Sequence, residues 1–407
     1  AAMAELIHDV APGAAMAFHT ALGGKASFAD AIHRLRTEAG CHIIVDDVIY
    51  YKETMYQDGF VAQAAAAATG ANVAYFSAAG NAGNLAIRSP YRDVNRRQSE
   101  AKLPPTGKDL HDWGGRNPYL PITFGPSGGS VTIVLQWNQP FFSLNPVPGK
   151  SGSKIDLDMY LLASPSPSEF ATPLAFSREG QGASYLPLGD PVEILTFTGG
   201  PNQTVFFAID HYQGSTTRIP QNSRVNLEFR VVFFTSGGVS VQGITNATSA
   251  YGGPTMYGHA LAKGVVSVAA VPWWEALYPT VYGATAEIDP ELFTARGGTF
   301  SILFDSLGKA LRTPRTVSAP TLAAVDGCNT TFFGSSDLSV PPADGEPDGY
   351  ANFFGTSAAA PNAAAVGALL KSADPLLTPT EMTRRLVVTA TDVKGFRAAP
   401  GWDDVTG

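Results

Sequence analysis

Gly355-Thr356-Ser357-Ala358-Ala359-Ala360-Pro361 is the stretch on which the reading of this chain turns, because it sets a serine at the mouth of an alanine-rich segment. From Ser357 the run Ala363, Ala364, Val366, Ala368, Leu369 to Lys371 predicts a helix, with good helix formers throughout and a cation in its last turn. Gly355 allows a tight turn into that helix, and the first turn leaves backbone N–H groups without intrahelical partners. Such amides at the positive end of the dipole can hold a developing oxyanion, which is what a nucleophilic serine needs. An ordinary Ser or Thr cap gives the same three letters, so a second element has to decide.

Val73-Ala74-Tyr75-Phe76-Ser77-Ala78-Ala79-Gly80-Asn81-Ala82-Gly83 supplies it. The apolar run predicts a buried strand that breaks into Gly and Asn at its carboxyl end, where open parallel sheets form their sites. Asn81 offers a neutral side-chain N–H to a tetrahedral intermediate, though a turn asparagine accounts for an isolated Gly-Asn equally well.

Taken in order, Ser-Ala-Ala-Gly-Asn and Gly-Thr-Ser-x-x-x-Pro resemble the subtilisin, kexin and sedolisin superfamily of serine peptidases. Lesser landmarks agree in order along the chain: Val10 to Ala14, a helix at Phe28 to Ala39, a strand at Cys41 to Tyr51, Gly258 to Val271, and Ser318 to Phe333. The resemblance covers residues 1 to about 85 and about 250 to 407. It implies Ser357 as nucleophile and Asn81, with the Ser357 amide, as oxyanion donor. It also implies a substrate wall at Asp47, Val48, Ile49 and Gly80, a protein or peptide substrate, and no cofactor or metal for the chemistry. Sedolisins usually carry aspartate where Asn81 stands, which favours the subtilisin branch at that position.

The general base of the resembled families sits on the helix just before the Ala11-Pro12-Gly13-Ala14 equivalent, at or before Ala1 here. The expectation is therefore a fragment whose base is encoded upstream and which is weakly active or inactive as it stands. The rival is a chain with an internal base. Glu5 and His8 lie on the predicted first helix, the second sedolisin acid falls near Met3, which cannot ionise, and His259 has a structural hydrogen-bonding role as its plainer account.

Ile43-Ile44-Val45-Asp46-Asp47-Val48-Ile49-Tyr50-Tyr51 is the oddest segment, a β-branched run with two adjacent carboxylates in its middle. Strand alternation sends Asp46 and Asp47 to opposite faces, so at most one of them points toward Ser357. An acidic specificity wall, a carboxylate that helps proton transfer, and a structural pair for a helix terminus remain the three readings. Asp58-Gly59 predicts a cap for a helix at Phe60 to Thr69, and Thr378-Pro379-Thr380-Glu381 opens a later helix running to Val387.

Composition sets the remaining bounds. Charged residues are only 15% of 407, against roughly 25% in ordinary soluble domains, while 42 glycines and 30 prolines favour a loop-rich, secreted, β-containing protein. A net charge of −8 argues against nucleic-acid partners, and Arg96-Arg97 is too short for a basic patch. No stretch is apolar and long enough to insert in a membrane. Cys41 and Cys328 allow one bridge or two free thiols, and Asn202, Asn246 and Asn329 open glycosylation sequons.

Between Gln98 and Ser249 helical periodicity gives way to short β-rich runs: Ser130 to Trp137, Asp156 to Leu162, Pro191 to Thr198, Thr204 to Asp210 and Val225 to Thr235. These resemble accessory sandwiches of the prepeptidase C-terminal type. Asp156 and Asp158 share one strand face, which suits either a structural Ca²⁺ or simple exposure. The expected architecture is an α/β, subtilisin-like parallel sheet with helices on both faces (residues 1–97 and 250–407), interrupted by an all-β sandwich (98–249). A peptidase-like scaffold used for binding or adhesion, and an esterase using the same serine, are the alternatives to a serine endopeptidase.

Overall fold

Alanine at every turn of the helix after Ser357 has a packing reason: it lets that helix lie close on a parallel sheet. In the computed structural model, residues 1–94, 108–147, 151–181, 189–212, 227–243, 252–277, 288–334, 349–391, 393, 403 and 405–407 are described. In chain order, α1 (Ala2–Val10) and α2 (Gly24–Thr37) precede β1 (Ile43–Asp46), α3 (Phe60–Gly70) and β2 (Ala74–Ala78). Then come β3 (Ala86–Pro90), β4 (Leu120–Thr123), β5 (Gly129–Trp137), β6 (Leu157–Leu162), β7 (Ala175–Ser177), β8 (Val192–Gly199), β9 (Thr204–His211), β10 (Glu228–Ser236) and β11 (Ser240–Val241). The rest comprises β12 (Val265–Pro272), α4 (Trp273–Leu277), β13 (Gly298–Phe304), β14 (Ala310–Ala319), β15 (Leu322–Asp326), β16 (Cys328–Thr330), β17 (Ala351–Phe353), α5 (Thr356–Ala373) and α6 (Pro379–Thr389).

The site rests on the sheet β1-β2-β12-β15, parallel throughout, with Asp46 in register with Ser77 and Ser77 with Ser267. One face buries Phe76, Val266, Val268 and Ala270 against Ala359, Ala360, Ala363 and Ala364 of α5 and Met382 of α6. A Cβ on Gly367 would come 3.0 Å from the Met382 sulfur and 3.2 Å from the Phe76 ring, so the helix approaches as closely as small residues permit. The other face packs Ile44, Val73 and Tyr75 against Phe28 and Ile32 of α2 and Val61 and Ala65 of α3. Helices thus cover both faces, as a parallel sheet with two apolar surfaces requires. The expected α/β arrangement of a parallel sheet with helices on both faces is what the chain adopts.

Several boundaries differ from the sequence-based expectation, each for a local reason. The strand expected over Cys41 to Tyr51 is regular only over Ile43–Asp46, because Asp46 is drawn into a buried polar cluster and the chain then turns, with the Glu53 N–H bonded to the Tyr50 carbonyl. Asp58 does not cap α3, whose N-cap is Gly59 without a side-chain bond. Both its carboxylate oxygens are taken by Arg315 Nη2, at 2.6 and 2.8 Å. Thr378 does cap α6, accepting the Glu381 N–H at 3.3 Å.

The β-rich middle forms two antiparallel sheets, ordered β3-β10-β5-β8 and β11-β4-β9-β6-β7. Alternate residues of both close one core: Ile133, Leu135 and Trp137 of β5 and Phe233 of β10 meet Leu157 and Met159 of β6 and Phe207 of β9. This is the interdigitated packing of a sandwich. Its edge strand β3 is contributed by Ala86–Pro90, upstream of the stretch 98–249. The boundaries at 97/98 and 249/250, together with Arg96-Arg97 and the Asn246 sequon, lie outside the described residues. Among the described residues no helix is long and apolar enough to cross a membrane.

Candidate active site

Parallel strands deliver their carboxyl ends to one edge of a sheet, and here the ends of β1, β2 and β15 meet the first turn of α5. The cap of α5 is Gly355, held at φ 112°, a left-handed conformation that glycine adopts without strain. A Cβ there would stand 3.2 Å from Asn81 Nδ2, so glycine also makes room for the carboxamide.

Four hydrogen bonds fasten this turn. Gly355 donates its N–H to Asp326 Oδ2 at 2.7 Å. Thr356 donates both its N–H (3.0 Å) and its hydroxyl (2.9 Å) to Asn81 Oδ1. The Gly80 N–H in turn donates to Thr356 Oγ1 at 3.0 Å. With Oδ1 engaged twice, the Asn81 carboxamide plane is fixed and its Nδ2 is the donor end turned toward the helix mouth. Ser357 follows as a half-buried residue whose backbone N–H lies in the first turn, beyond the reach of any i−4 carbonyl in the helix.

The Ser357 side chain is near enough to Asp47 to act on its carboxyl, lowering its pKa. Although Asp47 is exposed overall, desolvation by the surrounding protein pushes its carboxyl above the usual aspartate range, against the lowering by Ser357, and the charge of Asp46 adds to the upward push. The two neighbouring acids do face different ways, Asp47 outward to solvent and Asp46 into the interior.

Asp46 is buried on the other side. Its Oδ1 accepts from His259 Nε2 (3.0 Å), the Ser77 hydroxyl (3.1 Å) and the Val48 N–H (3.2 Å). His259 Nδ1 faces Glu53 Oε1 at 2.8 Å, and the His259 backbone N–H donates to Glu53 Oε2 at 2.7 Å. Both ring nitrogens face carboxylates, so the imidazolium is the form that fits. Burial opposes its charge, but Glu53 and Asp46 outweigh that and hold the His259 pKa well above its ordinary value. For Asp46 burial pushes upward, and the His259 charge prevails and holds the carboxyl below the usual range. Gly258 must stay glycine, since at φ 76° its Cβ would fall 2.5 Å from Glu53 Oε2. The structural reading of His259 is therefore the one this geometry supports, and Asp46 and Glu53 are the partners that sequence reasoning did not find for it.

The remaining candidates fall as follows. Gly80 lies in the site through its bond to Thr356, Ile49 is exposed, and Val48 packs with the α2 and α3 cluster on the opposite face of the sheet from α5. Glu5 is occupied by Thr330 and Thr331, whose bonds hold its carboxyl below the usual range, and His8 is exposed. Cys41 and Cys328 are not joined in a disulfide, and Cys328 Sγ accepts the Asn362 Nδ2–H at 3.3 Å. Asp156 and Asp158 are not on an exposed face: they are only 1% and 4% exposed, and burial together with neighbouring acids lifts their pKa values to about 7 and about 6. Nearby, Lys108 Nζ reaches Asp210 at 2.8 Å and the Tyr160 hydroxyl at 2.6 Å. Among the described residues no group of three or more His, Cys, Asp or Glu is arranged to hold a metal ion.

Asp326 is the site residue that sequence reasoning passed over. Its only sequence signal was an acid directly before Gly327 at the end of the apolar run Leu322 to Val325. Burial raises its pKa to about 7, against the Gly355 bond that lowers it, and Glu291 adds to the rise.

Residues 211–407, just under half of the chain and including Asp326 and Gly355 to Ser357, match the model of the Subtilase family. The chain is thus similar over that stretch to subtilisin-like serine peptidases. Among solved structures, that of the Clostridium perfringens CspB protease is 12% identical, with a TM-score of 0.48 over 94% of this chain and 68% of that one. No curated protein matches the chain.

Proposed function

We propose that this chain, similar over residues 211–407 to the Subtilase family, is a serine endopeptidase whose nucleophile is Ser357. The observation that carries the proposal is the pair of hydrogen bonds from Thr356 to Asn81 Oδ1, which joins two segments 275 residues apart at the mouth of α5. Ser357 Oγ attacks the scissile carbonyl carbon, and the carbonyl oxygen gathers negative charge between Asn81 Nδ2 and the Ser357 N–H. A general base takes the Ser357 hydroxyl proton during the attack and returns it to the leaving nitrogen as the tetrahedral species collapses and the C–N bond breaks, leaving an acyl-enzyme that water then hydrolyses. The Gly80 side of the site and Asp47 border the substrate. The division into a catalytic unit and an inserted sandwich over 98–249, and a secreted setting inferred from the low charge content, belong to the same proposal.

A fluorophosphonate probe tests the reading. Covalent labelling of the chain, abolished in Ser357→Ala, together with cleavage of an unfolded protein substrate, is the expected result. Labelling that persists in Ser357→Ala refutes Ser357 as the nucleophile, and turnover of esters without peptides would make the protein an esterase.

A further inference from the structure

We propose that Asp326 regulates this site by pH: neutral, it holds the Gly355 turn and leaves the oxyanion pocket uncharged, and ionised, it sets a negative charge behind that pocket and slows the reaction. The inference rests on the peptidase reading above. Asp326 acts through Gly355, as a positioning residue.

Its setting favours the neutral acid. Asp326 ends β15 in register with Pro272 of β12, and its side chain is fully buried. Oδ2 accepts the Gly355 N–H at 2.7 Å, while Oδ1 has no hydrogen-bond partner among the described residues. A buried carboxylate ion needs donors on both oxygens or a cation beside it. Among the described residues the neighbouring elements supply neither. β12 carries no ionisable residue, the ionisable residue of α5 is Lys371 in its last turn, far from Gly355, and that of α4 is Glu275. Glu291, in the chain that follows α4, is the charge that acts on Asp326, and it too is an acid. Burial, with Glu291 adding to it and the Gly355 bond opposing it, holds the Asp326 pKa at about 7, so the group changes state near neutrality. Asp46 is the opposite case: also buried, it lies 3.0 Å from His259 Nε2, and that cation keeps it ionised.

The place of the Asp326 charge gives it an effect on the chemistry. A Cβ on Gly355 would stand 3.2 Å from Asn81 Nδ2 and 3.6 Å from the Ser357 nitrogen, so the residue that Asp326 binds packs against both donors of the proposed oxyanion pocket. The same turn leads into Thr356, whose N–H and hydroxyl fix Asn81 Oδ1. A negative charge held behind those donors, out of water, opposes the negative charge that the carbonyl oxygen gathers in the transition state. Loss of the Asp326 proton to solvent therefore raises the barrier, and its return lowers it.

The test compares the rate of Ser357 phosphonylation by the fluorophosphonate probe for wild type and Asp326→Asn at each pH from 5 to 9, with Ser357→Ala as the blank. Taking the ratio of the two rates at one pH cancels the ionisation of whatever base serves Ser357. Asn keeps an acceptor for the Gly355 N–H and has no proton to lose. The ratio of variant to wild type should therefore be close to unity at pH 5 and climb through a single ionisation near neutrality to about 10 at pH 9. Melting curves at each pH verify that both proteins are folded at the assay temperature, and Asp326→Ser, a smaller neutral acceptor, repeats the comparison if the carboxamide is not accommodated. Should neither variant fold, the wild-type profile decides: its rate must bend downward near neutrality, and one that climbs unbroken to pH 9 overturns the proposal. A ratio that is constant across the range, as a purely structural role would give, or one that falls as pH rises, shows that Asp326 does not regulate the site, and the peptidase reading survives because Ser357 still labels. A folded wild-type chain that never labels at any pH overturns both proposals.

Discussion

Replacing Asp326 by Asn should make the protein more stable at alkaline pH, an outcome opposite to that usual for removing a hydrogen-bonded carboxylate. Asp326 is fully buried at the end of β15; its Oδ2 accepts the Gly355 N–H, and its Oδ1 has no hydrogen-bond partner among the described residues. Its pKa stands at about 7 in the folded chain and near 4 in an unfolded one. Between those values the unfolded state releases a proton that the folded state retains, so stability falls as pH rises; the contribution is complete below about pH 4 and gone above about pH 7. A difference of about three pH units corresponds to about 4 kcal/mol, of which about 2 kcal/mol is lost between pH 5 and pH 7 and nearly 3 kcal/mol by pH 8. Asn keeps an oxygen for the Gly355 N–H and has no proton to lose, so the variant escapes this dependence. Urea unfolding of wild type and Asp326→Asn at pH 5 and pH 8 measures it directly. The variant's advantage should be small at pH 5 and grow by about 3 kcal/mol at pH 8. An offset that is the same at both pH values, or a variant less stable than wild type at pH 8, refutes the reasoning. Probe labelling of Ser357 should persist in the variant, because the bond that shapes the Gly355 turn is kept.

The other predictions concern the two polar clusters flanking the serine. His259→Ala leaves Glu53 and Asp46 buried without their shared cation and should cost about 3–5 kcal/mol, read as a lower urea midpoint. Asn81→Ala removes the side-chain oxyanion donor and should slow peptide turnover about 100- to 1000-fold with the circular dichroism spectrum unchanged; turnover within threefold of wild type would remove Asn81 from the chemistry.

Local stereochemistry was the part of this molecule that its sequence carried. A glycine before a Ser-containing alanine run, and an apolar run ending in Gly80 and Asn81, each signal a break at the end of a regular element, and a parallel sheet then sends such ends to one edge. That is why the helix at Ser357 and the strand before Asn81 could be located. The detail of their meeting was not legible, because Thr356, a residue with no pattern of its own, supplies the bond to Asn81. Polar clusters were harder still. His259 lies 213 residues from Asp46 and 206 from Glu53, and each of the three alone has an ordinary reading. Asp156 and Asp158 show the same limit, since an alternating pattern reads identically on a wet face and on one covered by Lys108 and Tyr160.

The two adjacent carboxylates at the end of β1 mark where such reasoning goes furthest. Alternation requires that consecutive strand residues part company, so a pair of acids in a buried run must have two separate explanations rather than one shared role. The fold provides one through His259, a buried cation that makes Asp46 tolerable in the core. Asp47 needs another, and no second buried cation is required for it, because it stands at the solvent side.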